Sequence, residues 1–298
     1  MILKSSAMAV CMSFFLAGCG ATYSKVEAGK TTLNKVASQK TFEFAKSTQT
    51  ESMKLSSSDI LSSVREEIKD KSPYSNCRSL CTKRSNSGGP TDVWGRKISH
   101  DSANQEIQLT LVNGEEYTNS YGTNLYSTNI KIPFQYELTE MSDKFVVVLF
   151  PPNEIETIPG SDPIFMNYKP LMEGENLSSR LVTLFDGLSP TLRSSVTREG
   201  EFNVDFDPAS VKTNFTRLLS QSEVAESTSK TKYEQRFNLN LDGTTATVDV
   251  KIYLYRGKAK VNYRISYPYT IHSNGKTSEK DSSYMDNLEK RVREVANS

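Results

Sequence analysis

Two short turns near the C-terminus, Asp242-Gly243 and Arg256-Gly257, constrain the fold more than any other feature of the sequence. Each lies between runs in which apolar and polar residues alternate, the pattern of a β-hairpin closed by a two-residue turn. The turns fix the register of three antiparallel strands and put the apolar residues on one face, which a slip of one residue would expose. The predicted pairs are Leu241 with Thr244, Leu239 with Ala246, Phe237 with Val248, Tyr255 with Lys258, Leu254 with Ala259, Ile252 with Val261 and Val250 with Tyr263.

Amphipathic helices are expected to cover these strands. Helical spacing of apolar residues occurs over residues 58–69 and 176–188, after Asp207-Pro208, and in a C-terminal segment that Ser283 caps. Helices and strands are segregated along the chain rather than alternating. The sequence therefore predicts an α+β protein in which antiparallel sheets, including a C-terminal three-stranded meander, are covered by amphipathic helices.

Composition narrows the functional classes. The chain has 298 residues, with 36 Lys and Arg against 35 Asp and Glu, and a formal net charge of +1. This balance gives no electrostatic basis for nucleic acid as the main partner, and we expect none. Outside the N-terminus, no stretch of about 18 uncharged apolar residues occurs, which excludes a polytopic membrane protein.

The N-terminus has the three parts of a secretory signal. Lys4 gives a positive start, a mostly apolar stretch follows, and small residues precede a cysteine in Leu16-Ala17-Gly18-Cys19. This end resembles the lipobox of bacterial lipoproteins, and the resemblance covers about the first 20 residues. The alternatives are a plain secretory peptide and a buried N-terminal helix with a chance cysteine.

The resemblance implies that the peptide bond before Cys19 is cut and that Cys19 is lipidated. Two or three acyl chains hold a protein stably at a membrane. Gly20 stands where an inner-membrane retention signal is usually Asp, which favours the periplasmic leaflet of the outer membrane. The membrane is then one partner, through the acyl chains, and the expected domains are a signal peptide at 1–18, a flexible tether at 19–40, and α+β bodies at 41–165 and 166–298.

Once Cys11 is removed with the signal and Cys19 is lipidated, Cys77 and Cys81 are the cysteines left. In an oxidising periplasm they are expected to form a disulfide. A redox pair or half a metal site are the alternatives, although the spacing is C-x₃-C and neither histidine is near in sequence.

Two surfaces are candidates for binding a periplasmic protein or an envelope polymer. The predicted register puts a basic, aromatic set on the solvent face of the three strands, where Asp249 lies opposite Arg264 and Tyr253 opposite Lys260. Both pairs are also typical of an ordinary solvated sheet face. The second candidate is a loop over residues 117–129, where tyrosines stand among small polar residues as in adaptable binding loops, although a plain surface loop has the same composition. The candidate binding residues are Tyr253, Tyr255, Lys258, Lys260, Arg264, Tyr117, Tyr121 and Tyr126.

Motifs for catalysis are largely missing. There is no G-x-S-x-G, P-loop, G-x-G-x-x-G or H-E-x-x-H sequence, so no catalytic residue, metal site or cofactor is predicted. The sequence favours a non-catalytic, lipid-anchored envelope protein that binds a protein or polymer in the periplasm. A periplasmic hydrolase of cell-wall or saccharide substrates would need paired carboxylates, and a carrier of lipid or another apolar ligand would need a large apolar cavity.

Overall fold

Two antiparallel sheets and four helices make up the described part of the chain. The structure is a computed structural model that describes residues 28–75, 77, 80–84, 91–119, 122–159, 174–225 and 232–298. The α+β class predicted from the sequence is confirmed. Within these residues, no helix combines the length and the apolar character that a membrane crossing requires.

The first sheet contains eight strands from the N-terminal half of the chain. They are β1 (Gly29–Thr32), β2 (Lys40–Ala45), β3 (Leu80–Arg84), β4 (Thr91–Asp101), β5 (Glu106–Asn119), β6 (Gly122–Glu140), β7 (Lys144–Phe150) and β8 (Glu154–Pro159). The order is β1-β8-β6-β5-β4-β3, and β7 pairs with both β6 and β2. Two helices belong to this half, α1 (Ser57–Lys71) and α2 (Gly174–Gly187).

The second sheet contains five strands. They are β9 (Thr191–Val204), β10 (Ser220–Ala225), β11 (Lys232–Leu241), β12 (Thr244–Tyr255) and β13 (Lys258–His272), in the order β10-β11-β12-β13-β9. Its helices are α3 (Pro208–Leu218) and α4 (Ser282–Ala296). The two sheets share one connection. In the first sheet β7 pairs with β2, the strand that precedes α1, and in the second sheet β13 pairs with β9, the strand that precedes α3.

The two short turns lie where the sequence predicts them. Asp242, Gly243, Arg256 and Gly257 all have positive φ, from 47° to 81°, as a two-residue turn of type I′ requires. Leu239 consequently lies opposite Ala246, and every other pair expected from the turns is also present.

Side chains fill the space between this sheet and its helices. Phe215 of α3 stacks on Phe237 of β11 with ring centroids 5.7 Å apart, and Tyr284 of α4 meets Tyr267 edge-on at 5.0 Å. Asp207 caps α3 as predicted, whereas the cap of α4 is Asp281 rather than Ser283. An apolar-ligand carrier would need a large cavity here, and this packing counts against it.

The predicted disulfide is confirmed, and it lies beside a buried arginine. Cys77 and Cys81 are joined, and the Cys77 sulfur lies 3.6 Å from the carbonyl oxygen of Trp94. Arg96 donates to the carbonyl oxygens of Lys69 and Ser75, which places a cation at the C-terminal end of α1. The cation and the disulfide together fix the chain where it leaves α1.

The predicted tether and domain boundary need correction. Strand β1 falls inside 19–40 and pairs with β8, so residues 29–32 are not part of a flexible tether, and residues 19–27 lie outside the described part of the chain. Helix α2 lies beyond the expected boundary at 165, yet it packs on α1 of the first half. The four residues of β1 are all exposed, so this strand needs no apolar side chain.

The chain also crosses from the first half to the second sheet. Ser52 forms a bridge with Val196 of β9, the Met53 amide donates to Ser195, and the Thr197 amide donates to Glu51. These residues therefore extend the five-stranded sheet beyond β9.

Candidate functional site

Alternation along the strands gives the five-stranded sheet one covered and one exposed face. Val248, Val250 and Ile252 of β12 are buried beneath the helices, whereas Lys251 between them is exposed. We call the exposed side the open face. It carries Tyr253, Tyr255, Lys258, Lys260 and Arg264, the five residues that the sequence predicts there.

A row of alternating charges crosses the middle of the open face. Arg236, Asp249 and Arg264 lie on adjacent strands in direct register, and we call these three residues the central charge row. The Asp249 carboxylate accepts from Arg236 Nε at 2.6 Å, while Arg264 Nε lies 3.6 Å from Glu199 of β9. Asp249 and Arg264 thus lie opposite each other as predicted, but Asp249 forms its ion pair with Arg236 and Arg264 forms its ion pair with Glu199.

The open face is charge-balanced rather than basic along β11, β12 and β13. Five cations on these strands each lie near a carboxylate on a neighbouring part of the sheet. Besides the two pairs above, these are Lys251 with Glu234 at 3.7 Å, Lys258 with Asp205 at 2.5 Å, and Lys260 with Glu201 at 2.7 Å. The hydrogen bond from Lys260 to Glu201 also raises the pKa of this lysine. The face therefore attracts neither sign of charge at long range.

Two tyrosines lie on the open face close to the turn between β12 and β13. Tyr255 is 46% exposed, and its ring centroid is 5.2 Å from the Arg256 guanidinium and 5.7 Å from Lys260 Nζ. Tyr253 is opposite Lys260 and partly exposed. Such rings offer rigid contact area to a partner at a small cost in conformational entropy.

A hollow of about 780 Å³ lies on the same face. The central charge row and its neighbours line it, namely Glu199, Glu234, Lys251 and Asn262. The side-chain Oδ1 of Asn262 is buried and has no hydrogen-bond partner. The hollow is thus polar and open to solvent, and its size is in the range of ligand sites.

The second candidate surface is a hairpin rather than a loop. Tyr117 belongs to β5 and pairs with Asn124, and Tyr126 belongs to β6 and pairs with Glu115. Tyr121 lies outside the described residues, as does Cys19. The loop prediction is wrong because tyrosine and threonine favour strands, and this preference prevails over the small polar residues between them.

A cluster of charges that the sequence does not reveal joins the covered face to α4. Arg198 of β9, whose side chain is 20% exposed, contacts Glu51 at 2.9 Å, Asp286 at 2.6 Å and Glu289 at 3.4 Å. Glu289 in turn accepts from Arg293 at 2.8 Å. Glu51 precedes α1, whereas Asp286 and Glu289 lie three residues apart on α4, so no single local motif in the sequence indicates the cluster.

The described carboxyl groups with shifted pKa values all have lowered pKa. The hydrogen bond from Arg198 lowers the pKa of Glu51, and hydrogen bonds from Tyr263 and Arg293 lower that of Glu289 despite its burial. Serine hydroxyls lower the pKa of the helix-capping carboxyls, Asp59, Asp207 and Asp281. A glycosidase acid would need a raised pKa. Over the described residues, no group of three His, Cys, Asp or Glu side chains is arranged to hold a metal ion.

Tyr263 lies on the covered face, where its ring fits against the backbone of β9. A Cβ atom at Gly200 would stand 2.3 Å from the tyrosine hydroxyl oxygen, so only glycine leaves the room required. Burial and the hydrogen bond to Glu289 raise the pKa of Tyr263 from 10.0 to about 12.

Alkaline pH is expected to destabilise the protein through Tyr263. The folded state keeps the proton that the unfolded state releases above pH 10, so the stabilisation is complete below pH 10 and is lost as pH rises to about 12. We expect the loss to be roughly 1–3 kcal/mol. Urea denaturation of wild type and Tyr263→Phe across pH 9–12 measures it, because the other tyrosines titrate equally in both proteins. A free-energy difference that is constant with pH would contradict this assignment.

Comparison with known proteins identifies no family. No family model matches the chain, and no curated protein matches it. Two crystal structures have weak similarity, each at 9% identity and a TM-score of 0.15. The di-domain ARO/CYC protein StfQ of the steffimycin biosynthetic pathway is matched over 78% of this chain and 84% of its own, and DynU16 of the dynemicin biosynthetic locus over 76% and 86%. Scores this low do not indicate a shared fold, so neither protein's role is transferred to this chain.

Proposed function

We propose that this protein is a non-catalytic, lipid-anchored envelope protein that binds a protein or polymer partner in the periplasm through its open face. The observation that carries the proposal is the contrast between the two sides of the five-stranded sheet. Helices α3 and α4 cover one side, whereas the other presents exposed tyrosines, paired charges and a hollow of about 780 Å³. We place the contact on β11, β12 and β13, the strands that the sequence predicts as a three-stranded meander.

The position of β1 supports an anchor close to the body. Nine residues separate Cys19 from Gly29, the first residue of β1. A chain spans at most about 3.6 Å per residue, so acyl chains on Cys19 would keep the first sheet within roughly 36 Å of the membrane. The proposed site is the periplasmic leaflet of the outer membrane.

The balance of charge on the open face indicates the chemistry of the partner. Along β11, β12 and β13 a polyanion would meet as many carboxylates as cations, because the five cations described above each stand beside an acid. A surface that carries both signs can place each charge against its opposite. This favours a protein over a nucleic acid or a polymer of one charge.

Photo-crosslinking in cells that process the lipoprotein normally tests the proposal. A photoreactive amino acid at Tyr253 is expected to give one discrete protein adduct that is lost when the partner is deleted. The matched control is the same amino acid at Thr183, which is exposed on α2 and does not belong to the five-stranded sheet. No adduct from Tyr253, or the same adducts from Thr183, would contradict the proposal.

A further inference from the structure

The solvent side of α4 carries a row of alternating charges. Asp286, Lys290 and Glu294 follow one another at intervals of four residues, and all three are exposed. Residues four apart lie on the same side of a helix, with Cβ atoms about 5–6 Å apart. The exposed side of α4 thus presents the order negative, positive, negative, and the Asp286 carboxylate also contacts Arg198 of β9 at 2.6 Å.

The central charge row has the opposite order. Arg236, Asp249 and Arg264 stand on three adjacent strands, so they read positive, negative, positive across the open face. Adjacent strands are about 4.7–4.9 Å apart. The spacing between successive charges on the helix and the spacing between adjacent strands therefore differ by only about 1 Å. A helix that lies across the strands can place each of its three charges over one residue of the central charge row.

We propose that α4 of a second copy of this chain docks across the central charge row. Lys290 of one copy would face Asp249 of the other, with Asp286 and Glu294 over the two arginines. The acids can accept these contacts while keeping their present partners, Arg198 and Arg291, because a carboxylate has about four acceptor sites. The inference rests on the proposed function, since it names the partner of the open face.

The contact has a definite symmetry. Helix α4 packs against the covered side of the same sheet whose other side is the open face, so the two surfaces point in opposite directions. The contact is heterologous, and copies add head to tail without closing as a twofold pair would.

Paired cysteines in the full-length lipoprotein test the contact in cells. The double variant Lys290→Cys with Asp249→Cys is expected to give a ladder of disulfide-linked oligomers on a non-reducing gel, and each single variant none. The control pairs Lys290→Cys with Asn240→Cys, on the same face but four residues along β11 from Arg236, or about 13 Å. Dimers from a single variant would show a twofold contact and overturn the inference, as would a ladder from the control.

Charge exchange provides the second measurement. Lys290→Glu and Asp249→Lys should each weaken association of the purified lipoprotein more than about tenfold in sedimentation velocity, because like charges then meet. Mixing the two variants is expected to restore head-to-tail oligomers in which the variants alternate, because the substituted side chains at 290 and 249 attract each other at one contact and the native Lys290 and Asp249 meet at the next. Failure of the mixture to associate overturns the inference. A Tyr253 photo-adduct to a different protein, with no ladder, overturns it and leaves the proposed function standing, whereas the absence of both overturns both.

Discussion

Truncation of Phe237 to alanine is expected to lower the free energy of unfolding by about 3–5 kcal/mol. The ring is fully buried, stacks on Phe215 at 5.7 Å and lies opposite Val248 in the register fixed by the turn at Gly243. Its removal leaves a cavity that the flanking helix and strands fill only in part. Urea denaturation should show a lower midpoint at an unchanged slope.

Tyr255→Ala is the matched control for this truncation. It removes a large aromatic ring from the same sheet, but from a position that is 46% exposed on the open face. Its effect on stability should be within about 0.5 kcal/mol. A cost below about 1 kcal/mol for Phe237→Ala would contradict tight packing and would restore the apolar-ligand carrier as a hypothesis.

Arg198→Met is expected to destabilise the protein by about 1–3 kcal/mol, because the partly buried Glu51 and Glu289 lose the cation that they share, whereas the Asp286 side chain is 69% exposed. Glu51, Asp286 and Glu289 would be left together without the cation that they share. The effect depends on pH with a definite sign. Since the pKa values of Glu51 and Glu289 are lowered from 4.5 in the folded protein, the stabilisation is present above pH 4.5 and is lost as pH falls below it.

Arg291→Met separates this cluster from ordinary surface charge. Arg291 and Glu294 form an ion pair at 3.3 Å on the same helix, but both side chains are 49% exposed. Such a pair contributes less than about 1 kcal/mol. Thermal or urea unfolding of the two variants at pH 7 and pH 3 makes the comparison, and equal costs at pH 7 would contradict a special role for Arg198.

Local signals made much of the second sheet predictable. A two-residue turn links its strands directly, so Asp242-Gly243 and Arg256-Gly257 determine which residues of β11, β12 and β13 face each other. The cap of α3 was equally local, because Asp207 and Pro208 act within one helical turn. These features need no knowledge of the rest of the fold.

Contacts between distant segments escaped prediction, and they change the character of the candidate site. The open face is basic when only the three linked strands are considered. The carboxylates that balance it include Glu199, Glu201 and Asp205, which come from β9 and its end, more than 50 residues before Lys258. The pairing of β9 with β13 depends on the packing of the whole sheet, and no turn or motif in the sequence specifies it.

The segment around Ser52, which pairs with the edge of β9, bears on the solubility of the protein. An exposed edge strand offers unpaired amides and carbonyls to any other chain, and proteins that leave such edges open tend to aggregate. Here the bonds between Met53 and Ser195 and between Glu51 and Thr197 occupy the outer edge of β9 with a segment from the other half of the molecule. A fragment that begins after α2 would lose this protection, and we expect it to be prone to aggregation even if its own core is complete.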